Sequence, residues 1–215
     1  MIGKAKISGT LLAGGLARRM GGGDKGLARL GDRTMLEHVI ARMRPQVTRM
    51  VVNANGDPAR FASYGLDVAP DPVAGNVGPL AGVLAGMHWS ERLDPAALWT
   101  VTAPTDAPFL PLDLVARLAV AGAERPERIV LAASAGRVHP VVGLWPVALA
   151  GDLQAALEGG VRKVLDWTAR HDCVTEDFPP LRIAGTEVDP FFNANRPEDL
   201  EEARTLAALL VPHAG

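Results

Sequence analysis

Short strand-like segments alternate with helix-like segments along most of this 215-residue chain, and that alternation limits the folds open to it. Strands are predicted over residues 6–12, 50–53, 66–69, 98–103 and 129–133. Helices are predicted over residues 34–43, 80–89, 112–121, 149–157, 162–169 and 197–210. A helix between two strands favours parallel pairing, with the helix packed across the sheet. The sequence therefore predicts an α/β fold with a mostly parallel sheet and helices on both faces, in one domain spanning residues 1–215.

Local patterns add details to this prediction. Thr34 followed three residues later by Glu37 predicts a capping box at the start of the first helix. Asn195 and Glu198 allow the same arrangement before the last helix, although the boundary there stays open. A further apolar segment, over residues 138–144, contains Pro140. Proline cannot donate to a strand ladder, which argues against a central position for this segment.

The composition excludes several functional classes. No uncharged apolar run is long enough for a membrane helix, and the first residues lack the pattern of a signal peptide. The single cysteine, Cys173, rules out an intramolecular disulfide and is typical of a reducing compartment. A formal net charge of −2 gives no bulk electrostatic basis for binding nucleic acid. We therefore expect a soluble cytoplasmic protein that binds neither a membrane nor a nucleic acid.

Starting with the last two residues of the first predicted strand, the chain reads LLAGGLARRMGGGDKG over residues 11–26. Ligands of parallel α/β sheets bind outside the carboxyl ends of the strands, where this segment begins. Arg18, Arg19 and Lys25 supply charge for phosphate oxygens, and close backbone approach is allowed by glycines at 14, 15, 21, 22 and 23. A flexible, solvated basic loop is the alternative interpretation. The segment is neither a Walker motif, because Gly26 stands where Ser or Thr is required, nor a G-x-G-x-x-G fingerprint.

The stretch LAGGLARRMGGGDKGL resembles the signature of the molybdenum cofactor guanylyltransferases, within the wider nucleotidyltransferase fold. Four more segments match this family in the same order: VVNAN at 51–55, GPLAG at 78–82, PTDAPFLP at 104–111 and NANRPEDL at 193–200. The resemblance runs from about residue 7 to residue 205, and it departs from the family at Thr105, where cysteine is common. It implies a Rossmann-like nucleotidyltransferase fold and an enzyme that transfers GMP from GTP to Mo-molybdopterin, releasing pyrophosphate. Mg²⁺ is the implied cofactor.

The resemblance also implies which residues form the nucleotide site. It assigns Arg19 and Lys25 to neutralising the phosphates and Asp106 to holding Mg²⁺, and these three form the predicted catalytic set. An aspartate that satisfies local N–H groups in a turn is the alternative for Asp106. The remaining predicted nucleotide- or cofactor-binding residues are Leu12, Ala13, Gly14, Gly15, Asn53, Asp71, Gly78, Asn193 and Asn195, besides Lys25 and Asp106 themselves.

Several of these residues have more than one interpretation. Asn53 and Asp71 match positions that contact the nucleotide in the family, and their polar groups suit guanine or ribose, but ordinary turn chemistry is the alternative. Gly78 would bring backbone near the base or simply begin a helix. Asn193 and Asn195 either complete the metal or substrate shell or cap the last helix.

Residues of the later third of the chain have the least specific roles. His139 is expected to be structural or to contact the pterin, and Cys173, which lacks any partner motif, is expected to have a packing role. Arg162 and Lys163 either bind the phosphate of the second substrate or begin an exposed helix. Transient contacts with molybdenum-insertion proteins and molybdoenzyme chaperones are expected. The alternatives for the whole protein are a related nucleotidyltransferase that uses CTP or builds a sugar nucleotide, and a non-catalytic GTP-binding or cofactor-carrier protein.

Overall fold

A seven-stranded sheet forms the centre of the protein, in the spatial order β5-β4-β1-β6-β8-β7-β9. The computed structural model describes residues 7–14, 24–73, 75 and 78–210. The strands of this sheet are β1 (Ile7–Leu12), β4 (Met50–Asn53), β5 (Asp67–Ala69), β6 (Trp99–Pro104), β7 (Ile129–Ser134), β8 (Arg137–Pro146) and β9 (Cys173–Asp177). Two small hairpins lie outside it, β2 (Arg29–Leu30) with β3 (Arg33–Thr34), and β10 (Leu181–Ile183) with β11 (Thr186–Val188).

Strand β8 is the one antiparallel member of the seven, because it runs against both β6 and β7 while the other neighbouring pairs are parallel. The expectation that Pro140 keeps this segment out of the centre of the sheet is wrong. The register of β8 on β7 shifts between Leu131 and Ala132, so that Gly143 and His139 pair with consecutive residues of β7. Pro140 lies inside that bulge, where no ladder hydrogen bond is required of its nitrogen.

Helices cover both faces of the sheet, as predicted. They are α1 (Met35–Met43), α2 (Pro79–Leu93), α3 (Leu114–Gly122), α4 (Ala150–Glu158), α5 (Val164–Thr168) and α6 (Pro197–Leu210). Helices α1 and α3 contribute Leu36 and Leu118 to a core on one face, whereas α2 and α5 contribute Leu84 and Trp167 to a core on the other. Both faces of the central strands are therefore buried, which explains their nearly continuous apolar sequences.

Helix α2 lies close to β1 and β4 because it carries glycine where it crosses them. A Cβ atom on Gly82 would overlap the Asn53 amide and would lie 2.6 Å from Leu12 Cδ2. A Cβ atom on Gly86 would overlap the side chain of Thr10. The missing side chains let the helix descend onto the sheet at the point where Leu12 and Asn53 end their strands.

The capping box predicted at the first helix is confirmed, whereas the one considered before the last helix does not form. Thr34 Oγ1 accepts the Glu37 backbone N–H, and the Glu37 carboxylate accepts the Thr34 N–H, which forms the expected capping box. At α6, Asp199 rather than Glu198 accepts the backbone N–H groups of residues 195 and 196, both at 2.9 Å. Within the described ranges, no helix combines the length and the apolar character that crossing a membrane requires.

Candidate active site

A cleft of about 330 Å³ opens at the carboxyl ends of β1, β4 and β6. This is the edge at which parallel α/β sheets bind ligands, because loops from adjacent strands diverge there. The cleft brings together most of the predicted site residues that the structure describes, namely Leu12, Gly14, Lys25, Asn53, Asp71, Gly78, Asp106 and Asn195. Asn55, Pro79 and Val141, which the sequence did not single out, also line it.

Lys25 begins a short 3₁₀ turn, Lys25–Leu27, and the second residue of this turn, Gly26, packs tightly against Thr105, which directly follows β6. A Cβ atom on Gly26 would lie 2.7 Å from both Cβ and Oγ1 of Thr105. Only glycine fits in so close a contact, and this contact brings Lys25 beside Asp106. Lys25 Nζ donates to Asn195 Oδ1 at 2.7 Å and lies 3.9 Å from Asp106 Oδ2.

Asp106 is a carboxylate held largely out of water at the end of β6. Its side chain is 16 % exposed, and burial raises the pKa of this carboxyl above its usual value while the nearby Lys25 ammonium opposes the rise. Its backbone carbonyl accepts the Ala194 N–H at 3.2 Å, which ties β6 to the segment before α6. Such a poorly solvated carboxylate beside a cation at a cleft wall is a common feature of functional sites.

The other wall of the cleft carries a network of two amides around Asp71. Asn53 Nδ2 donates to Asp71 Oδ1 at 2.9 Å, and Asn55 Nδ2 donates to Asp71 Oδ2 at 2.7 Å. Asn55 Oδ1 accepts the Asp71 backbone N–H at 2.9 Å, so this pair is bonded in both directions. Asp71 is thereby fixed as a two-oxygen acceptor, with lone pairs left for donors on a ligand.

Arg60 connects the two walls, a role that no sequence motif indicated. Its guanidinium Nε lies 2.6 Å from Asp24 Oδ2, and its Nη2 donates to the Asn55 carbonyl at 2.6 Å. Asp24 precedes Lys25, while Asn55 holds Asp71. One side chain from the 3₁₀ helix Pro58–Tyr64 therefore joins the turn that carries Lys25 to the amide network.

The two asparagines before α6 differ in their surroundings. Asn195 lines the cleft, and its side-chain oxygen accepts the Lys25 ammonium group rather than capping the helix. Asp199 accepts the backbone N–H groups of residues 195 and 196, just before α6. Asn193 Oδ1 is buried and has no hydrogen-bond partner among the described residues. An unpartnered buried carbonyl oxygen is costly and calls for a donor or a cation.

Several predicted residues lie outside this arrangement. Gly15, Arg18 and Arg19 fall outside the described residues. Ala13 is buried behind the cleft, where its backbone N–H donates to the Asn53 carbonyl at 2.9 Å. Arg162 donates to the Leu157 and Val161 carbonyls at the end of α4, so its guanidinium serves the fold in this structure.

His139 is buried and Cys173 is half-buried. His139 is 8 % exposed and bonds to Ser134, while Cys173 packs beside the core of α2 and α5. Burial raises the pKa of the Cys173 thiol, which disfavours the reactive thiolate. The packing role expected for Cys173 is therefore consistent with its surroundings.

The oxygen groups at the Asp106 side of the cleft fit a magnesium ion. Mg²⁺ binds hard oxygen ligands, commonly one or two carboxylates, and keeps several waters or substrate phosphate oxygens. Asp106 supplies a carboxylate, and the unpartnered Asn193 Oδ1 belongs to the segment bonded to it. The described residues contain no cluster of three or more His, Cys, Asp or Glu ligands, so a dedicated cage of these side chains is absent from that part of the chain.

Known proteins are similar to this chain over most of its length. The family model of the MobA-like NTP transferase domain matches residues 9–174. The molybdenum cofactor guanylyltransferase of Bradyrhizobium sp. (strain ORS 278) is 53% identical over 204 residues, which cover 94% of each chain. The enzyme of the same name from Rhodopseudomonas palustris (strain HaA2) is 53% identical over 92% of this chain and 90% of its own.

One solved structure extends the comparison to the fold. Molybdopterin-guanine dinucleotide biosynthesis protein A from Archaeoglobus fulgidus superposes with a TM-score of 0.73 at 24% sequence identity. The superposition covers 94% of this chain and 98% of the other. At this identity the similarity establishes a shared fold, which agrees with the sheet and helix arrangement described above.

Proposed function

Because the chain belongs to the molybdenum cofactor guanylyltransferase family, we propose that it transfers GMP from GTP to Mo-molybdopterin. The products are the guanine dinucleotide form of the cofactor and pyrophosphate. The observation that carries the proposal is the convergence of Lys25, Asp106 and Asn195 at one cleft wall, opposite Asp71 and its amides. A cation and a poorly hydrated carboxylate, facing a fixed carboxylate that can accept hydrogen bonds from a nucleobase, suit a metal-assisted nucleotide reaction.

The chemistry requires positioning more than proton transfer. An oxygen of the terminal phosphate of molybdopterin attacks the α-phosphorus of GTP and forms a new P–O bond. The bond from that phosphorus to the bridging oxygen breaks, and pyrophosphate leaves with the bonding electrons. Because the attacking oxygen is already anionic, no general base is needed. The barrier comes from bringing two anions together in line, so charge neutralisation and orientation dominate.

The residues of the phosphate side supply that neutralisation. We assign Lys25 to the phosphates, where Asn195 holds its ammonium group, and we assign Arg19 to the same task. Asp106 would hold Mg²⁺, with Asn193 or Asn195 completing the shell. Bound there, Mg²⁺ would offset the negative charge of the phosphate oxygens.

The residues of the opposite wall are assigned to the nucleoside. Guanine presents two adjacent N–H donors on its Watson–Crick edge, and the fixed carboxylate of Asp71 is an acceptor for such a pair. Asn53 orients Asp71, Gly78 allows close backbone approach at the start of α2, and the backbone of Leu12, Ala13, Gly14 and Gly15 is assigned to the nucleotide. Gly78 has a φ of 82°, which favours glycine there.

Nucleotide binding and pyrophosphate release test the proposal together. We expect calorimetry in Mg²⁺ to give tighter binding of GTP than of CTP or ATP, and we expect pyrophosphate only when molybdopterin carrying molybdenum is added. Lys25→Ala should lower turnover about 10²–10³-fold, by analogy with the loss of one preorganised donor. Arg182→Ala, which removes an exposed charge from the β10–β11 hairpin, is the matched control and should leave turnover unchanged. Preference for CTP would assign the chain to a cytidylyl reaction, and binding without pyrophosphate release would indicate a carrier.

The wider setting of the reaction is also proposed. We propose that residues 1–215 act as one domain and that the enzyme works in the cytoplasm. Its product must pass to molybdoenzymes and its pterin substrate must first receive molybdenum. Transient contacts with molybdenum-insertion proteins and with molybdoenzyme chaperones are therefore the partners that we propose.

A further inference from the structure

A chain of hydrogen bonds runs from two buried side chains, Ser134 and His139, to the partly exposed Asp189, and the proposed reaction gives these residues no role. Ser134 is the last residue of β7 and is 2 % exposed. Its Oγ lies 2.7 Å from Nε2 of His139, on β8, and 2.8 Å from Oδ1 of Asp189, just after β11. The chain therefore joins the central sheet to the segment that leads into α6.

The protons in this chain can be assigned. A serine hydroxyl has one proton to donate, and a carboxylate only accepts. Ser134 therefore donates to Asp189 and accepts the Nε2–H of His139. The direction of donation runs from His139 through Ser134 to Asp189. Removing the hydroxyl would leave a buried imidazole N–H and a carboxylate oxygen without this partner.

The Asp189 end of the chain fixes the backbone that follows it. Asp189 Oδ1 also accepts the Phe191 N–H at 2.9 Å. The Phe191 ring lies 4.7 Å from the His139 ring and meets the Phe178 ring edge-on at 5.3 Å. Polar and aromatic contacts thus hold residues 189–191 against the β7–β8 hairpin.

The same segment ends at the lysine of the cleft. Three residues after Phe191, Ala194 donates its backbone N–H to the Asp106 carbonyl at 3.2 Å. The next residue, Asn195, accepts the Lys25 ammonium at 2.7 Å. A short stretch of backbone, anchored at Asp189 and at Asp106, therefore determines where the acceptor for Lys25 lies.

We propose that Ser134 and Asp189 are positioning residues that hold the segment 189–195 so that Asn195 fixes the ammonium group of Lys25 in the cleft. The catalytic consequence rests on the proposed function, in which Lys25 neutralises phosphate charge. The geometric part concerns the free protein and stands apart from the identity of the substrate. His139 supports the arrangement by donating to Ser134 and by contacting Phe191.

The reactivity of Lys25 in the ligand-free protein measures the proposed effect. The chain has four lysines, at positions 4, 6, 25 and 163. Lys25 is 17 % exposed at its side chain, whereas Lys163 is exposed at the start of α5 and serves as the internal reference. Brief treatment with an acetylating N-hydroxysuccinimide ester, followed by proteolysis and mass spectrometry, gives the ratio of Lys25 to Lys163 acetylation. Asn195→Ala sets the ratio expected when the acceptor is lost directly.

Ser134→Ala and Asp189→Ala should each raise this ratio about fivefold, the effect of losing a hydrogen bond of ordinary strength. Asp189→Asn keeps an acceptor oxygen for Ser134 and Phe191, and it should restore the wild-type ratio. Ser90→Ala is the matched control, because Ser90 is a buried, hydrogen-bonded serine beside Ser8, at the opposite end of β1 from the cleft. It should leave the ratio unchanged.

An unchanged ratio in Asp189→Ala, or an equal rise in Ser90→Ala, would overturn the proposal. The Asp189 side chain is 38 % exposed, so its variants test the proposal even where Ser134→Ala does not fold. Pyrophosphate release is measured separately on the wild type. Failure of that assay would overturn the proposed function, whereas the acetylation ratio would still decide the positioning role.

Discussion

Replacing Gly26 by alanine should displace Lys25 from Asn195 and Asp106 at the wall of the cleft, without adding or removing any charge. The new Cβ atom would lie 2.7 Å from Cβ and Oγ1 of Thr105, and 3.2 Å from its carbonyl oxygen. Ordinary carbon contacts need about 3.5–4.0 Å, so the two backbones must separate by about 1 Å. The bond from Lys25 Nζ to Asn195 Oδ1, now 2.7 Å, would then exceed the usual limit for hydrogen bonding.

Two magnitudes follow for Gly26→Ala. Overpacking costs about 1–3 kcal/mol, which for a protein of this size lowers Tm by about 2–12 °C. A misplacement of about 1 Å lowers catalytic rates about 10²-fold. Scanning calorimetry measures the first effect, and pyrophosphate release from GTP with Mo-molybdopterin measures the second.

Two further variants test the steric cause. Gly151→Ala makes the same change on helix α4 where nothing lies within 4 Å, so it should preserve turnover and slightly raise Tm. The double variant Gly26→Ala with Thr105→Gly removes both side-chain atoms that the new methyl meets, and it should recover most of the lost activity. Wild-type turnover in Gly26→Ala, or no recovery in the double variant, would refute the steric reasoning.

Three other perturbations have definite outcomes. Burial raises the pKa of Asp106, so folding favours its neutral form, and the ionised carboxylate destabilises the metal-free protein as pH rises through that pKa. Asp106→Asn should therefore raise Tm at pH 7.5 in EDTA while abolishing turnover. A lower Tm would contradict this. Burial, assisted by Arg137 and opposed by Asp189, lowers the pKa of His139 below its ordinary 6.5, so the stability it contributes is present above pH 6.5 and lost as pH falls through the lowered pKa. The free energy of unfolding, measured with denaturant between pH 8 and pH 5, should therefore fall less steeply with falling pH for His139→Gln than for the wild type. Arg60→Met keeps the apolar stem of the side chain but loses the partly buried ion pair with Asp24. We expect calorimetry to show GTP binding weakened about fivefold, equivalent to about 1 kcal/mol. Unchanged affinity would show that Arg60 does not support the site.

The parts of the fold that were predicted correctly depend on local sequence patterns. The strand Met50–Asn53 and the helix Pro197–Leu210 have the predicted bounds, because their apolar periodicity and their proline or turn residues act within a few positions. The capping box of Thr34 and Glu37 is confirmed for the same reason. The placement of β8 was missed, since a bulge that accommodates Pro140 depends on pairing with a neighbouring strand rather than on the segment itself.

The candidate site divides in the same way. Motif resemblance selected Lys25, Asn53, Asp71, Asp106 and Asn195, which line the cleft. The topology of a parallel sheet brings Asn53, Asp71 and Asp106 to one edge, because they end or closely follow strands of that sheet. Asn55 belongs to the same motif, VVNAN, as Asn53, and the pairing of the two amides in that motif is the sequence signal for its place in the site. The composition of the segment around residue 60 contains no signal for Arg60, because its partners come from other parts of the chain.

The sequence by itself determined the order and type of the main elements, the edge of the sheet that carries the cleft and the family to which the chain belongs. These properties depend on short periodic patterns and on the conformational preferences of glycine and proline, which act within a few residues. Only the tertiary structure decided that Lys25 is held by Asn195, 170 positions away, and that Ser134 bonds to Asp189. Such pairs depend on how separate segments cross in space, and a linear pattern does not specify that distance.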